Sequence, residues 1–118
     1  DEIDWFHNNS LWYDEKNDLV LLSARHKDAI IAIHKSDKSL AWILGDPANW
    51  NGVDKKYFFT PTGDDFEWQY AQHQITMLDN GDIMMFDNGT AKVKLSDNDN
   101  RVSGDDIYSR AVVYHINT

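Results

Sequence analysis

Short apolar runs alternate with polar turns along the first part of the chain. The runs predict four strands, at residues 8–14, 19–23, 29–34 and 40–45. The second run is almost continuously apolar, which is typical of a strand buried on both faces of a sheet. Four short antiparallel strands joined by tight turns have the size and pattern of one blade of a β-propeller. We therefore predict an all-β blade over about residues 7–45.

Residues 46–65 contain both prolines of the chain and few strand signals, which predicts a long loop. Strand signals return after this loop, at residues 73–78 and 83–86. Between these two runs lie Asn80 and Gly81, a dipeptide that favours a type I′ hairpin turn. The sequence therefore predicts a second β-hairpin that begins at a histidine.

The last part of the chain predicts a third strand of the second blade at residues 109–116. A weakly amphipathic stretch of uncertain type at 91–95 and a polar loop at 97–106 precede it. The polar loop lacks the glycine and the glutamate that an EF-hand calcium loop requires, so a solvated acidic turn is predicted. The second blade is thus incomplete and covers about residues 66–118.

The two blades are predicted to begin alike, because residues 7–11 (HNNSL) can be superimposed on residues 73–77 (HQITM). If both runs form innermost strands of adjacent blades, His7 and His73 lie near one another at one mouth of the central channel. Antiparallel pairing returns Arg25 to the same end. The sequence therefore predicts a site of two histidines and one arginine. The structural alternatives are two strand-end histidines and an arginine in a surface or interblade salt bridge.

Composition narrows the classes of protein and partner. A chain of 118 residues is one domain at most and is long enough to bury a sizeable core. The net charge of −9 argues against nucleic acid and anionic membrane surfaces as partners, since both favour clustered cations. No apolar run approaches the length of a membrane span. The chain has no cysteine, which excludes disulfides and thiolate metal sites.

No metal site is predicted from the histidines. Two histidines at one channel mouth could bind zinc, but no carboxylate or third histidine with the spacing of metal ligands is visible in the sequence. His26 follows Arg25 directly, and strand alternation would point it away from Arg25, towards the surface.

Five stretches of the chain together resemble the bacterial aryl-sulfate sulfotransferases, the family that works without a nucleotide sulfate donor. In chain order they are residues 4–10 (DWFHNNS), 23–26 (SARH), 42–45 (WILG), 72–73 (QH) and 109–112 (SRAV). The resemblance implies part of a six-bladed β-propeller that is exported to the periplasm and is usually dimeric. A small N-terminal β-sandwich and an earlier blade, with a further active-site histidine, would lie outside this chain. Since the chain opens on Asp1 rather than Met, we expect it to be a piece of a longer protein.

By this resemblance, His73 falls on the histidine that becomes transiently sulfated, while His7 and Arg25 fall on residues that bind and polarise the sulfuryl group. A neutral imidazole is a competent nucleophile, and the planar fork of arginine suits two sulfate oxygens, so no cofactor is expected. His7 would donate to another oxygen or protonate the leaving phenolate. The expected function is sulfuryl transfer from an aryl sulfate donor to a phenolic acceptor. The alternative is a non-catalytic propeller fragment that binds an anion or a protein partner.

Three further residues are candidates for substrate binding. Arg110 begins the last predicted strand, where it either helps to hold an anion or forms a structural ion pair. Trp50 and Trp68 flank the candidate site in sequence and either form walls for a phenolic ring or belong to the packing between blades. A piece of two blades leaves open sheet edges, which predicts self-association with copies of the chain or with the missing blades.

Overall fold

The computed structural model describes residues 3–89 and 108–118 of the chain. These residues form two antiparallel sheets, and the strands of each sheet are neighbours in chain order. The first sheet contains β1 (Asn8–Asp14), β2 (Leu19–Ala24), β3 (Ala29–His34) and β4 (Leu40–Leu44). The second contains β5 (His73–Met77), β6 (Ile83–Asp87) and β7 (Arg110–Tyr114). Within the described residues no helix is long and apolar enough to cross a membrane.

The prediction of an all-β chain with a four-strand meander followed by a second hairpin is confirmed. The predicted strands of the first sheet agree with the observed ones to within one residue at each end. The third strand of the second sheet is shorter than predicted, Arg110–Tyr114. The amphipathic stretch at 91–95 and the acidic loop at 97–106 lie outside the described residues.

The first sheet is covered on both faces. One face shares a single apolar cluster with the second sheet, in which Leu21, Ile30 and Ile83 are fully buried. The other face holds a smaller cluster around Ala29 and Ile43. Because both faces are buried, the apolar pattern of β2 is continuous rather than alternating, as the sequence predicted.

Residues 46–65 cover the second face of the first sheet. Two short 3₁₀ turns, Pro47–Asn49 and Lys55–Tyr57, shape this segment, and the carboxylates of Asp46 and Asp54 cap them. Phe58 then forms a parallel bridge with Ile43 of β4. The predicted loop is therefore present, and it packs against the sheet as part of the core.

The turn between β5 and β6 differs from the predicted type I′ turn. Only Gly81 has a positive φ, of 88°, whereas type I′ requires two such residues. The amide of Gly81 donates to the carbonyl of Leu78 at 2.8 Å, and Asn80 accepts instead from the amide of Asp82 at 3.0 Å. These features indicate a type I turn followed by a left-handed glycine, the next most common hairpin connection.

Candidate functional site

The strands β1 and β5 begin side by side, at what we call the upper end of the two sheets. The side chain of Asn9 donates to the carbonyl of Gln72 at 2.8 Å. Further along, the amide of Ile75 donates to the hydroxyl of Ser10 at 3.0 Å. Since His7 lies two residues before Asn9 and His73 follows Gln72, these bonds hold the starts of both histidine-bearing runs at the same end.

Gln72 fixes this junction from inside the protein. Its side chain is fully buried and donates from Nε2 to the hydroxyl of Ser23 at 3.0 Å and to the carbonyl of Ala29 at 3.0 Å. A weaker bond of 3.3 Å reaches the carbonyl of Ala24. Buried amides without partners are costly, so these bonds select one position for the segment that leads into His73.

The turn between β2 and β3 is attached to the same segment. The carboxylate of Asp28 accepts from the amide of Ala71 at 2.6 Å, and buried Gln69 donates to the carbonyls of Asp28 and Leu44, both at 3.0 Å. Burial raises the pKa of Asp28, and the hydrogen bond from Ala71 partly opposes that rise. This network connects Arg25, at the start of the turn, to the approach to His73.

Arg25 lies at the upper end, as antiparallel pairing predicted. Its amide donates to the carbonyl of His7 at 3.1 Å. The side chain is half-buried, and within the described residues its guanidinium has no hydrogen-bond or ion-pair partner. The five guanidinium donors are therefore not occupied by the described parts of the chain, which suits the binding of an anion.

His7 belongs to a cluster with Asp4 and His26, which we call the His7 cluster. The Nδ1 atom of His7 contacts the Asp4 carboxylate, and the two imidazole rings stack with centroids 4.7 Å apart. The hydrogen bond from His7 lowers the pKa of Asp4. His26 is exposed, as the sequence predicted, but it lies beside His7 because residues Arg25–Lys27 form a 3₁₀ turn and strand alternation ends before them.

The His7 cluster also offers one ligand atom from each of its three residues, all within 4.8 Å of one another. The sequence shows no carboxylate or third histidine with the spacing of metal ligands, but the fold brings Asp4 and His26 to His7, the latter from the turn after β2. Imidazole nitrogens with one carboxylate suit zinc and similar divalent ions. The three side chains are exposed, however, and hydrogen bonds to Asp4 already account for their arrangement.

His73 is held in a different way, by residues at the end of β6. The side-chain nitrogen of Asn88 lies 2.6 Å from Nδ1 of His73 and also donates to the carbonyl of Ala71. Next to it, the buried carboxylate of Asp87 accepts from the amides of Tyr70 and Gly89, both at 2.9 Å. We call His73, Asp87, Asn88 and Arg110 the His73 network.

Arg110 closes this network. Its Nε donates to Asp87 at 2.8 Å, and Nη2 donates to the carbonyl of Glu67 at 2.8 Å and, more weakly, to that of Trp68 at 3.4 Å. The structural ion pair that the sequence left open for this residue is therefore present. Its predicted contribution to substrate binding stays a prediction, and these bonds direct most of its donors inward.

The two candidate tryptophans lie in different places. Trp50 is at the upper end, with its ring centroid 6.3 Å from that of Phe58 and the Lys27 ammonium 5.3 Å from its centroid. Trp68 packs against Phe66, centroids 4.7 Å apart, and against Tyr114. Since Tyr114 pairs with Ile83, at the far end of β6 from the partner of His73, the ring of Trp68 lies towards the lower end.

Comparison with known proteins gives the family. The sequence family described as Arylsulfotransferase (ASST) matches the chain over residues 1–118. Arylsulfate sulfotransferase AssT of Lelliottia amnigena is 32% identical over 107 residues, which cover 77% of this chain and 18% of that protein. AssT of Escherichia coli O6:H1 is 29% identical over 104 residues, which cover 75% of this chain and 17% of that protein. The chain thus spans less than a fifth of the length of these curated relatives, and it belongs to the arylsulfotransferase family.

Proposed function

We propose that the protein containing this chain transfers a sulfuryl group from an aryl sulfate ester to a phenolic acceptor, through a sulfohistidine at His73 and without a cofactor. Family membership supports the reaction class. The observation that carries the residue assignment is the bond between Asn9 and Gln72, which brings the starts of β1 and β5 to one end of the sheets.

In this proposal, different residues bind different parts of the substrate. Arg25 supplies a planar fork for two sulfuryl oxygens, which its lack of partners among the described residues supports. His7 faces a third oxygen or the departing phenolate. Loss of one donor that stabilises developing oxygen charge typically raises a barrier by roughly 2.7–4 kcal/mol. Trp50 lies at the correct end to contact a phenolic ring, and we assign it that role.

We further propose that the two sheets are neighbouring blades of a β-propeller, the first over about 7–45 and the second over about 66–118, joined by the loop at 46–65. The burial of both faces of the first sheet supports this arrangement. The outward face of the second sheet exposes Met84, Phe86 and Val113, which supports self-association or coverage by a further blade. Export to the periplasm belongs to the same proposal and rests on the family.

Intact mass spectrometry tests the proposal. The chain and a longer protein that contains it are mixed with 4-nitrophenyl sulfate, and each is examined for the gain of one sulfuryl group. We expect the adduct to disappear in His73→Asn and to persist in His115→Asn, a control at an exposed histidine. Absence of both adduct and nitrophenol release from the longer protein would favour the non-catalytic alternative, which binds an anion or a protein partner.

A further inference from the structure

The segment before β1 is fastened to the turn that follows β2. The amide of Arg25 donates to the carbonyl of His7 at 3.1 Å, and the amide of His26 donates to the carbonyl of Phe6 at 3.2 Å. The Nδ1 atom of His26 also contacts the backbone carbonyl of Asp4. A carbonyl only accepts, so this nitrogen carries a proton and donates it. Three bonds from one turn therefore fix the path of the segment.

The imidazole of His7 is oriented by two of these residues. Its Nδ1 contacts the carboxylate of Asp4, and this hydrogen bond is the main reason that the pKa of Asp4 is lowered. Asp4 is therefore ionised at neutral pH and can only accept, so Nδ1 of His7 is the donor. The His26 ring stacks on the His7 ring at an interplanar angle of 26°. Among the described residues, Nε2 of His7 has no hydrogen-bond partner.

The backbone of His7 is also unusual. Its φ is 50°, in the left-handed region that a residue with a Cβ seldom adopts. Such conformations persist where surrounding contacts hold them, and they concentrate at functional sites. The bonds from Arg25 and His26 are the contacts that hold this one.

We infer that Asp4 and His26 are positioning residues that hold His7 for proton transfer through Nε2. Asp4 receives the Nδ1 proton, while His26 holds the Asp4 backbone in place and covers one face of the His7 ring. A carboxylate on Nδ1 orients an imidazole and stabilises its protonated form. Because Nδ1 keeps its proton in both forms of the ring, Nε2 is the nitrogen that gives and takes the mobile proton.

This role assigns the proton in each sulfuryl transfer, and it rests on the proposed function. In the first transfer the unprotonated imidazole nitrogen of His73 attacks sulfur, and the bond between sulfur and the aryl oxygen breaks with its electron pair on the oxygen. Protonated His7 gives its Nε2 proton to that oxygen, so a neutral phenol leaves. In the second transfer Nε2 of the now neutral His7 takes the proton of the acceptor phenol, while the phenolic oxygen attacks sulfur and the N–S bond breaks. His7 is protonated again at the end of the cycle.

Two donors with different leaving groups test this step in a longer protein that contains the chain. The 4-nitrophenolate ion is a weak base that leaves without a proton, whereas 4-methylphenolate is a stronger base that needs one. General acid catalysis contributes about 10²–10⁴-fold, so Asp4→Asn, which keeps an acceptor but removes the charge, should lower kcat/KM by at least about 100-fold for 4-methylphenyl sulfate. The loss for 4-nitrophenyl sulfate should be less than about tenfold. Asp37→Asn removes the same charge from an exposed turn and should change neither value.

The outcomes separate this inference from the proposed function. Equal losses for the two donors in Asp4→Asn would overturn the inference, while the remaining turnover would uphold the proposed function. Absence of both turnover and sulfuryl adduct in the unsubstituted longer protein would reject the proposed function and the proton-transfer step with it. His26→Phe keeps a ring against His7 but loses the bond to Asp4, so the same bias between donors should appear at a smaller size. Absence of that bias would remove His26 from the assignment.

Nitrogen-15 NMR of the chain tests the orientation of His7 without reference to activity. With labelled histidines, at a pH above the ordinary titration range of imidazole, long-range ¹H–¹⁵N correlations identify the protonated nitrogen of each ring. We expect both His7 and His26 to carry the proton on Nδ1. A wild-type His7 protonated on Nε2 would overturn the inference whatever the rates show.

Discussion

The two histidines that begin β1 and β5 occupy matching positions in the sequence but different environments. His7 is 46% exposed and is held by Asp4, a carboxylate that is itself 57% exposed. His73 is half-buried and is held by a carboxamide that adjoins an ion pair between Asp87 and Arg110, with Asp87 only 3% exposed. The side chains of the His7 cluster are thus largely exposed to solvent, whereas those of the His73 network are more buried.

The strands themselves repeat more faithfully than the residues around the histidines. Each first strand carries a register shift just after its start, between Asn8 and Ser10 in β1 and between His73 and Thr76 in β5. A shift at this point bends the strand and re-aims the side chains near its end. The repeat therefore places two imidazoles at one end, and non-repeated neighbours give each imidazole a different hydrogen-bond partner.

Removal of the carboxylate at the centre of the His73 network is expected to have the largest effect on stability. Asp87→Ala removes the 2.8 Å ion-pair partner of Arg110, whose side chain is 25% exposed, and leaves it the 3.9 Å contact with Glu67. It also removes an acceptor of the Tyr70 amide and one of the two acceptors of the Gly89 amide. Loss of one member of a largely buried pair lowers the free energy of unfolding by about 3–5 kcal/mol, which urea unfolding measures. The control Asp82→Ala breaks a pair with His115, which is 71% exposed, and should lower stability far less. Equal losses of stability in the two variants would contradict the contrast between a largely buried and an exposed ion pair.

The junction between the two regions is the next most sensitive point. Gln72→Ala leaves the carbonyls of Ala24 and Ala29 buried without this donor, so the free energy of unfolding should fall by about 2 kcal/mol. Gln74→Ala is a matched control on β5, which begins just after Gln72; its side chain is exposed, so stability should change by less than about 0.5 kcal/mol. If Gln72→Ala left the free energy of unfolding unchanged, the amide network would not be what holds the strands together.

A smaller effect is expected in the His7 cluster. Because the pKa of Asp4 is lowered from its ordinary value of 3.8, chiefly by the hydrogen bond from His7, its contribution to stability is present above that value. The contribution is lost as the pH falls through the lower folded-state pKa. Asp4→Asn should therefore lower the Tm slightly at neutral pH and not at all in strong acid. It should also change the NMR signals of the His7 imidazole, because Nδ1 loses its carboxylate partner. Asp37→Asn changes the net charge equally without touching His7 and should leave the spectrum of His7 unchanged.

The strands could be predicted from the sequence because their signals are local. Apolar runs and turn residues determined the bounds of β1 to β4, and antiparallel pairing alone brought Arg25 back to the end where His7 lies. The contact between Asn88 and His73 also had a signal: His73 pairs with Phe86, so the residue that follows β6 returns beside it. The exact register also depends on the turn type and on the shift within β5, neither of which the sequence predicted.

The approach of His26 and Asp4 to His7 could not be predicted in the same way. It depends on a 3₁₀ turn over Arg25–Lys27, which rotates His26 out of the strand pattern, and on the path of the segment before β1. Likewise, the bonds of Gln72 join residues more than forty positions apart. Such contacts follow from how the two sheets pack, which no periodicity in the chain encodes.

The smallest expected effect concerns the charge of Asp28, which follows the turn that begins at Arg25. Burial raises the pKa of Asp28, so the native state holds its proton more tightly than the unfolded state, and the free energy of unfolding falls as the pH rises from 3.8 through the folded-state pKa. Asp28→Asn keeps an acceptor for Ala71 and tolerates the φ of 51°. Relative to wild type, this variant should gain stability, by no more than about 1 kcal/mol, as the pH rises from acid to neutral in thermal unfolding. If it instead loses stability over that range, the Asp28 charge is favourable in the folded state, which would indicate that the hydrogen bond from Ala71 and the nearby charges of Arg25 and His26 together outweigh the cost of burying it.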